Sequence, residues 1–280
     1  MNLEKITQQT IEIVRQAGVF IQTEAARFSR QSIEYKAVNN LVSYVDKEAE
    51  RLLVSGLRQI LPQAGFITEE DTTGQTPDFE ALNWIIDPLD GTANFIHGLP
   101  VYCVSVGLVR GKEPLVGVIL HLGTNELFYG WQGGGAWLSE KVKGESGEVG
   151  AKNAVQLRVS VAQQLSESLL ATGFPYYQFD QQAQYLHILQ ILMQRTHGLR
   201  RMGAAAIDLA YVAAGRFEGF YEYNLHSWDM AAGVLLVKEA GGHVSDFAGG
   251  DTYLFGGNII AACGVHAELL DVIQTIWNKK

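Results

Sequence analysis

The sequence predicts an α/β (α+β) protein in two halves, with helices and an antiparallel sheet first and mixed α/β structure after. Three observations predict this. Apolar residues recur at helical spacing up to Pro62; short β-branched and aromatic runs separated by Gly, Pro and Asn follow; strand-like and helix-like segments then alternate to the end.

Leu3, Ile6, Ile13, Ala17, Phe20 and Ala25 recur at spacings near three and four, which predicts a helix from Leu3 to about Phe28. A second helix is expected after Ser43, through DKEAERLLVSGLRQIL, until Pro62 stops it. From Phe66 to about Val159 the runs FIT, NWIID, VYCVSVGLVR, PLVGVILHL and ELFYGWQ read as strands. RGKEP and LGTNE read as hairpin turns, so this sheet is expected to be largely antiparallel. Residues 139–155 are polar and dotted with glycine, which reads as a surface loop. Beyond it, QLRVSV and ESLLATG read as strands, and DQQAQYLHILQILMQ and GAAAIDLAYVAAG as helices. GFYEY is an expected strand, SWDMAAGVLLVKEAGG a helix, HVSDF and NIIAAC strands, and HAELLDVIQTIW a final helix. The two expected units are 1–152 and 153–280.

Composition narrows the function. The 280 residues are 47% apolar and 18% charged, ordinary for a globular protein able to bury a core. A formal net charge of −9 argues against direct nucleic-acid binding, which needs Lys and Arg facing phosphates. An anionic substrate would then need a local positive field from side chains or metal ions. The start, MNLEKITQQTIEIV, is too polar for a signal peptide, and no apolar run reaches the length of a membrane span. A cytoplasmic protein with no membrane partner is expected. Cys103 and Cys263 sit in apolar surroundings and are expected as buried free thiols.

The chemistry-bearing stretch is WIIDPLDGTANFIHG, where an apolar run ends in Asp87 and Asp90. Two unpaired carboxylates at the end of a buried strand repel each other and lose hydration, which a divalent cation would relieve. The Leu89 carbonyl could turn to the same ion. Asp-Pro and Asp-Gly pairs also form turns, so the motif alone reads equally as a turn or a metal site. Glu69, Glu70 and Asp71 close the preceding run GFITEED, and alone read as a solvated face. Asp229 and Asp46 each stand in a first helical turn, where the helix dipole favours an acid without any function. His226 and Lys36 alone carry no signal.

Together, WIIDPLDGTANF, the upstream ITEE and the downstream HSWDMAAGVLLVKEAGG closely resemble the inositol monophosphatase family, Mg²⁺-dependent and lithium-sensitive phosphomonoesterases. The resemblance runs from NNLVSYVDKEAE through RRMGAAAIDLAYVAAGRFEGFYEY to SDFAGG. It implies a layered αβαβα sandwich of the sugar-phosphatase type, commonly a homodimer. It also implies that Glu69, Asp87 and the Leu89 carbonyl hold one Mg²⁺, that Asp87, Asp90 and Asp229 hold a second, and that a third sits mainly in water near Glu69. Thr92, hydrogen-bonded to Asp46, would position and deprotonate the attacking water; Gly91 and Thr92 N–H groups would face the phosphate. Asp90 and Asp229 would also border the substrate. Glu222 with Gly203, Ala204 and Ala205 would bind polyol hydroxyls, and Lys36 would lie near the phosphate. Four carboxylates against three Mg²⁺ leave a charge of roughly +2, suited to a phosphate dianion. The implied reaction is direct attack by metal-activated water on a small sugar or polyol phosphate, inositol-1-phosphate first. Fructose-1,6-bisphosphate, histidinol phosphate and 3′-phosphoadenosine 5′-phosphate are the rival substrates, and a regulatory partner of transcription complexes is the rival role. Nucleotide-specific relatives usually carry Lys-Glu in place of Ala93-Asn94, which lowers the nucleotide alternative. Ala204 departs from the family's frequent Ser or Thr, and the 139–155 loop is longer than usual.

Overall fold

The computed structural model describes residues 1–27, 33–37, 40–139, 154–175 and 179–278, with the backbone alone at 33–37 and 40–43. In chain order come α1 (Leu3–Ala25), β1 (Ile33–Ala37), β2 (Asn40–Ser43), α2 (Tyr44–Ile60), β3 (Gly65–Thr68), β4 (Leu82–Asp90), α3 (Thr92–His97), β5 (Cys103–Arg110), β6 (Glu113–His121), β7 (Glu126–Trp131), β8 (Gly135–Ser139) and β9 (Ala154–Gln156). Then follow β10 (Leu169–Thr172), α4 (Gln182–Arg195), β11 (Gly198–Arg200), α5 (Ala205–Ala213), β12 (Gly219–Glu222), α6 (Ser227–Glu239), β13 (His243–Ser245), α7 (Tyr253–Gly256), β14 (Ile259–Ala262) and α8 (His266–Trp277).

β3 to β9 form a seven-stranded sheet in sequence order, antiparallel except for the parallel β3–β4 pair. A second, five-stranded sheet has the order β11-β10-β12-β14-β13 and mixes parallel and antiparallel pairs. Among the described residues β1 and β2 pair only with each other.

Strand alternation sends side chains into separate cores. Val104, Val106 and Leu108 of β5, with Val116, Val118 and Leu120 of β6, join Ile11, Val14, Leu53 and Leu57 of α1 and α2. The other face of the sheet joins Ile85, Ile119 and Phe128 to Ile207, Leu209, Val234 and Leu236 of α5 and α6. The far side of the second sheet packs Leu170, Tyr221 and Ile260 on Ile188 and Leu192 of α4 and Leu269 and Ile273 of α8. The layers are therefore α1/α2, seven-stranded sheet, α5/α6, five-stranded sheet, α4/α8: the αβαβα sandwich.

Glycine sets the depth of the central layer. A Cβ at Gly107 would lie 2.9 Å from the Ala231 Cβ, and one at Gly117 2.6 Å from the Ala232 carbonyl oxygen. β5 and β6 thus let α6 settle directly on the sheet backbone, a distance that any larger side chain would open.

Some expectations need correction. The first helix stops at Ala25, and α3, β8 and β11 are elements too short for a periodicity to reveal. QLRVSV is not a strand beyond Gln156. Leu157 donates to Ala136 O and Val159 to Ala240 O, so the segment crosses between layers with single bonds to different partners and builds no ladder. The expected loop 139–155 begins and ends inside strands, because Ser139 pairs with Ala154 and Leu138 with Val155. The rest of it, 140–153, lies outside the described residues. Cys103 and Cys263 are free and buried. Among the described residues no helix is long and apolar enough to cross a membrane.

Candidate active site

β4 delivers Asp87 and Asp90 through an irregularity. Residues three apart on a regular strand point to opposite faces. Here Asp87 pairs with Ser105 and Asp90 with Cys103, so three steps on β4 oppose two on β5. Pro88 brings no N–H to the ladder and suits the bulge. Both aspartates consequently face the α5/α6 layer, while Leu89 enters the α1/α2 core. Each carboxylate is tied to backbone: Asp87 Oδ1 accepts from Leu89 N at 2.9 Å, and Asp90 Oδ2 from Ala206 N at 2.7 Å in the first turn of α5. The Cys103 thiol donates to Asp90 Oδ2 at 3.8 Å.

Asp229 arrives from the opposite side. It stands in the first turn of α6, where its Oδ2 accepts from His226 N at 2.7 Å. The close seating of α6 on the sheet brings it to the β4 pair. Asp87, Asp90 and Asp229 each offer an oxygen, and these lie within 4.8 Å of one another. Glu69 follows β3, and its N–H donates to Ile86 O at 3.3 Å, beside Asp87.

Charge and burial make this cluster unstable by itself. Burial first, then Glu69, Asp90 and Asp229, push the Asp87 carboxyl well above the usual range, against the pull of the Leu89 N–H. Asp229 keeps part of its surface open to the cleft, yet burial followed by Asp90 also drives it well up. Asp90 rises only to about 6, because burial is offset by the Ala206 and Ala205 N–H groups, Cys103 and Arg201. Oxygens this close could be held by a divalent cation, which would favour the charged form of each carboxylate. The donor set fits a divalent cation.

A cleft of about 240 Å³ joins these acids to the second sheet. Gly173, Arg201 and Glu222 stand at the carboxyl ends of the parallel strands β10, β11 and β12, a common place for ligands in α/β sheets. A Cβ at Gly173 would overlap the Glu222 carboxylate. Burial raises Glu222 to about 8 despite Arg201, so near neutral pH its carboxyl can both donate and accept.

The cleft collects nearly all residues expected from sequence: Glu69, Asp87, Leu89, Asp90, Gly91, Thr92, Gly203, Ala204, Ala205, Glu222, His226 and Asp229. Among the expected residues whose side chains are described, Asp46 is the exception. It is buried in the first turn of α2 and does not line the cleft. The Thr92 hydroxyl donates to Leu89 O at 2.9 Å, so its one proton points at that carbonyl. Lys36 lies on β1, outside the residues whose side chains are described.

Arg201 and Asp208 escaped the sequence reading, and Asn94 entered it only as a mark against a nucleotide substrate. Arg201 favours the charged forms of Asp90, Asp208 and Glu222. Asp208 is wholly buried in α5, and burial, then Glu222 and Asp90, lift its carboxyl well above the ordinary range. A lone acid in the alanine-rich run GAAAIDLAYVAAG was the available signal. Asn94 donates from one amide nitrogen to Val101 O at 2.7 Å and Met202 O at 2.9 Å, tying α3 to the segment that carries Arg201 and Gly203.

Comparison with known proteins agrees with this fold. The sequence model of the inositol monophosphatase family matches residues 2–279. The chain is 38% identical over 267 residues to the inositol-1-monophosphatase of Rhizobium meliloti (strain 1021), covering 94% of each chain. It is 40% identical over 252 residues to Nus factor SuhB of Escherichia coli (strain K12), covering 90% of this chain and 88% of the other. Among solved structures, inositol monophosphatase from Anabaena (Nostoc) sp. PCC 7120 superposes with a TM-score of 0.81 at 32% identity, covering 99% of this chain and 98% of that one. The extragenic suppressor protein suhB from Bartonella henselae superposes with a TM-score of 0.84 at 33% identity, covering 96% and 98%.

Proposed function

The chain belongs to the inositol monophosphatase family, and from that premise we propose that it hydrolyses a small polyol phosphate monoester, inositol-1-phosphate foremost, with Mg²⁺ as cofactor. The observation that carries the reading is the meeting of Asp87, Asp90 and Asp229 within 4.8 Å on one wall of a cleft that Glu222 closes from the other.

Glu69, Asp87, Asp90, Asp229 and the Leu89 carbonyl would hold two to three Mg²⁺. Bound there, Mg²⁺ supplies a Lewis acid toward phosphoryl oxygen and lowers the pKa of water. The chain's own groups do the rest. With its proton on Leu89 O, the Thr92 hydroxyl turns lone pairs outward and can accept from an incoming water. Passing that proton toward Asp46 requires the hydroxyl to rotate away from Leu89. Gly91 and Thr92, at the start of α3, would offer backbone N–H groups to the phosphate. Glu222 would read neighbouring hydroxyls of the polyol, beside Gly203, Ala204 and Ala205. Ala204 removes one hydroxyl contact, which places more of the selectivity on Glu222. A homodimer is proposed on the family's habit.

The test is a phosphate-release screen over sugar, polyol and nucleotide monophosphates, with and without Mg²⁺. Release from inositol-1-phosphate that vanishes in chelator supports the proposal; no release from any ester defeats it. One observation favours a second reading, a regulatory binding protein: a relative 40% identical is named a Nus factor. That reading predicts a cellular phenotype that an Asp87→Asn chain still complements.

A further inference from the structure

Glu50 lies one helical turn after Asp46, on the buried face of α2 with Val45, Ala49, Leu53 and Leu57. Its side chain has no exposed surface. The carboxylate accepts four hydrogen bonds: from Thr68 Oγ1 at 3.0 Å, Thr72 N at 2.8 Å and Thr72 Oγ1 at 2.7 Å on Oε1, and from Glu70 N at 2.7 Å on Oε2. All four donors belong to residues 68–72. They straddle Glu69, bonding the residue before it and the residue after it. The same stretch holds Asp71 at φ 49°, a left-handed conformation that a residue with a side chain keeps only when its surroundings impose it.

This grip has an opponent. The Glu69 charge adds to that around Asp87, and like charges repel. On one side the Glu69 N–H bond to Ile86 O resists. On the other, hydrogen bonds to an ionised acceptor are roughly twice as strong as neutral ones. A carboxylate is also acceptor-only, which suits four converging donors; a glutamine would turn an N–H₂ toward some of them.

We propose that Glu50 is a positioning residue, whose buried carboxylate holds the 68–72 segment so that Glu69 reaches the cation site beside Asp87. The proposal rests on the cation reading of that site. Groups that orient a metal ligand commonly cost 10–100-fold in metal affinity or activity when removed.

Mn²⁺ alone, titrated into the full chain without substrate and followed by the electron paramagnetic resonance of free Mn²⁺, tests it. Glu50→Gln should weaken the tightest Mn²⁺ site about tenfold. Val54→Ala, a buried change on the same helix, should lower the melting temperature and leave Mn²⁺ affinity unchanged. In a Glu69→Gln background, Glu50→Gln should add less than about twofold, because it acts through Glu69. Hydrogen exchange at the Glu70 and Thr72 amides should quicken in Glu50→Gln while that at Leu53 does not. Should Glu50→Gln fail to fold, Thr72→Val removes one donor and should weaken Mn²⁺ about threefold. Wild-type Mn²⁺ affinity in the variant that folds, or penalties at 50 and 69 that add in full, overturns the proposal. A wild-type protein that binds no Mn²⁺ overturns the cation reading itself.

Discussion

The two walls of the cleft hold their acids by different means. On the wall built from the seven-stranded sheet, Asp87 and Asp90 crowd together with Asp229 from α6, and Glu69 adds its charge to that around Asp87. Backbone N–H groups anchor the aspartates, so the oxygens are fixed although they repel. Across the cleft, Glu222 ends β12 of the five-stranded sheet and Asp208 stands in α5, and Arg201 favours the charged form of both. One wall stores unfavourable charge that a cation would relieve. The other presents acids moderated by Arg201. On the proposed function, the first wall would carry the chemistry and the second would select the polyol.

Breaking the first wall should have the largest effect. Asp87→Asn should cut phosphate release by roughly a thousandfold or more, about 4 kcal/mol of transition-state stabilisation. In chelator the same change should raise the melting temperature, because a buried, repelled carboxyl is replaced by a neutral amide. Activity and metal-free stability moving in the same direction would deny that the wall stores charge for a cation.

Thr92→Ala tests the seam between the walls. Turnover should fall roughly a hundredfold with little change in KM, since water positioning matters most in the transition state. An unchanged kcat would remove Thr92 from the reaction.

Glu222→Gln tests the second wall. KM for inositol-1-phosphate should rise about tenfold, and KM for p-nitrophenyl phosphate should hardly change, because that ester offers no neighbouring hydroxyls. Equal losses on both would move Glu222 to the side of the cation site.

The smallest effect is on stability against pH. Glu222 has a folded value raised to about 8, whereas an unfolded glutamate titrates near the ordinary 4.5. The folded state therefore holds the extra proton between these values. Its contribution is complete below about 4.5 and is lost as pH rises through about 8. In chelator, the melting temperature of Glu222→Gln relative to wild type should climb from pH 5 to pH 8. A constant difference across that range would contradict the assignment.

Much of this was legible along the chain, because it depends on neighbours in sequence. Helical periodicity placed α1 and α2, and the β-branched runs placed β4 to β7 in an antiparallel sheet, since such patterns report which face is buried. WIIDPLDGTANF and HSWDMAAG pointed to the acids and, through family resemblance, to the αβαβα layers. Tertiary structure decided what distance along the chain conceals. Asp87 and Asp90 share a face only because β4 gains a residue against β5, and spacing alone puts them on opposite faces. Asp229 reaches them only because Gly107 and Gly117 let α6 lie on the sheet. Glu50 carries no signal within DKEAERLL, and its four donors come from residues 68–72 of another segment. Arg201 and Asp208 gained meaning from Glu222, which faces them from another element. A residue's own pattern says whether it is buried and in which element; its chemical role depends on partners that only packing supplies.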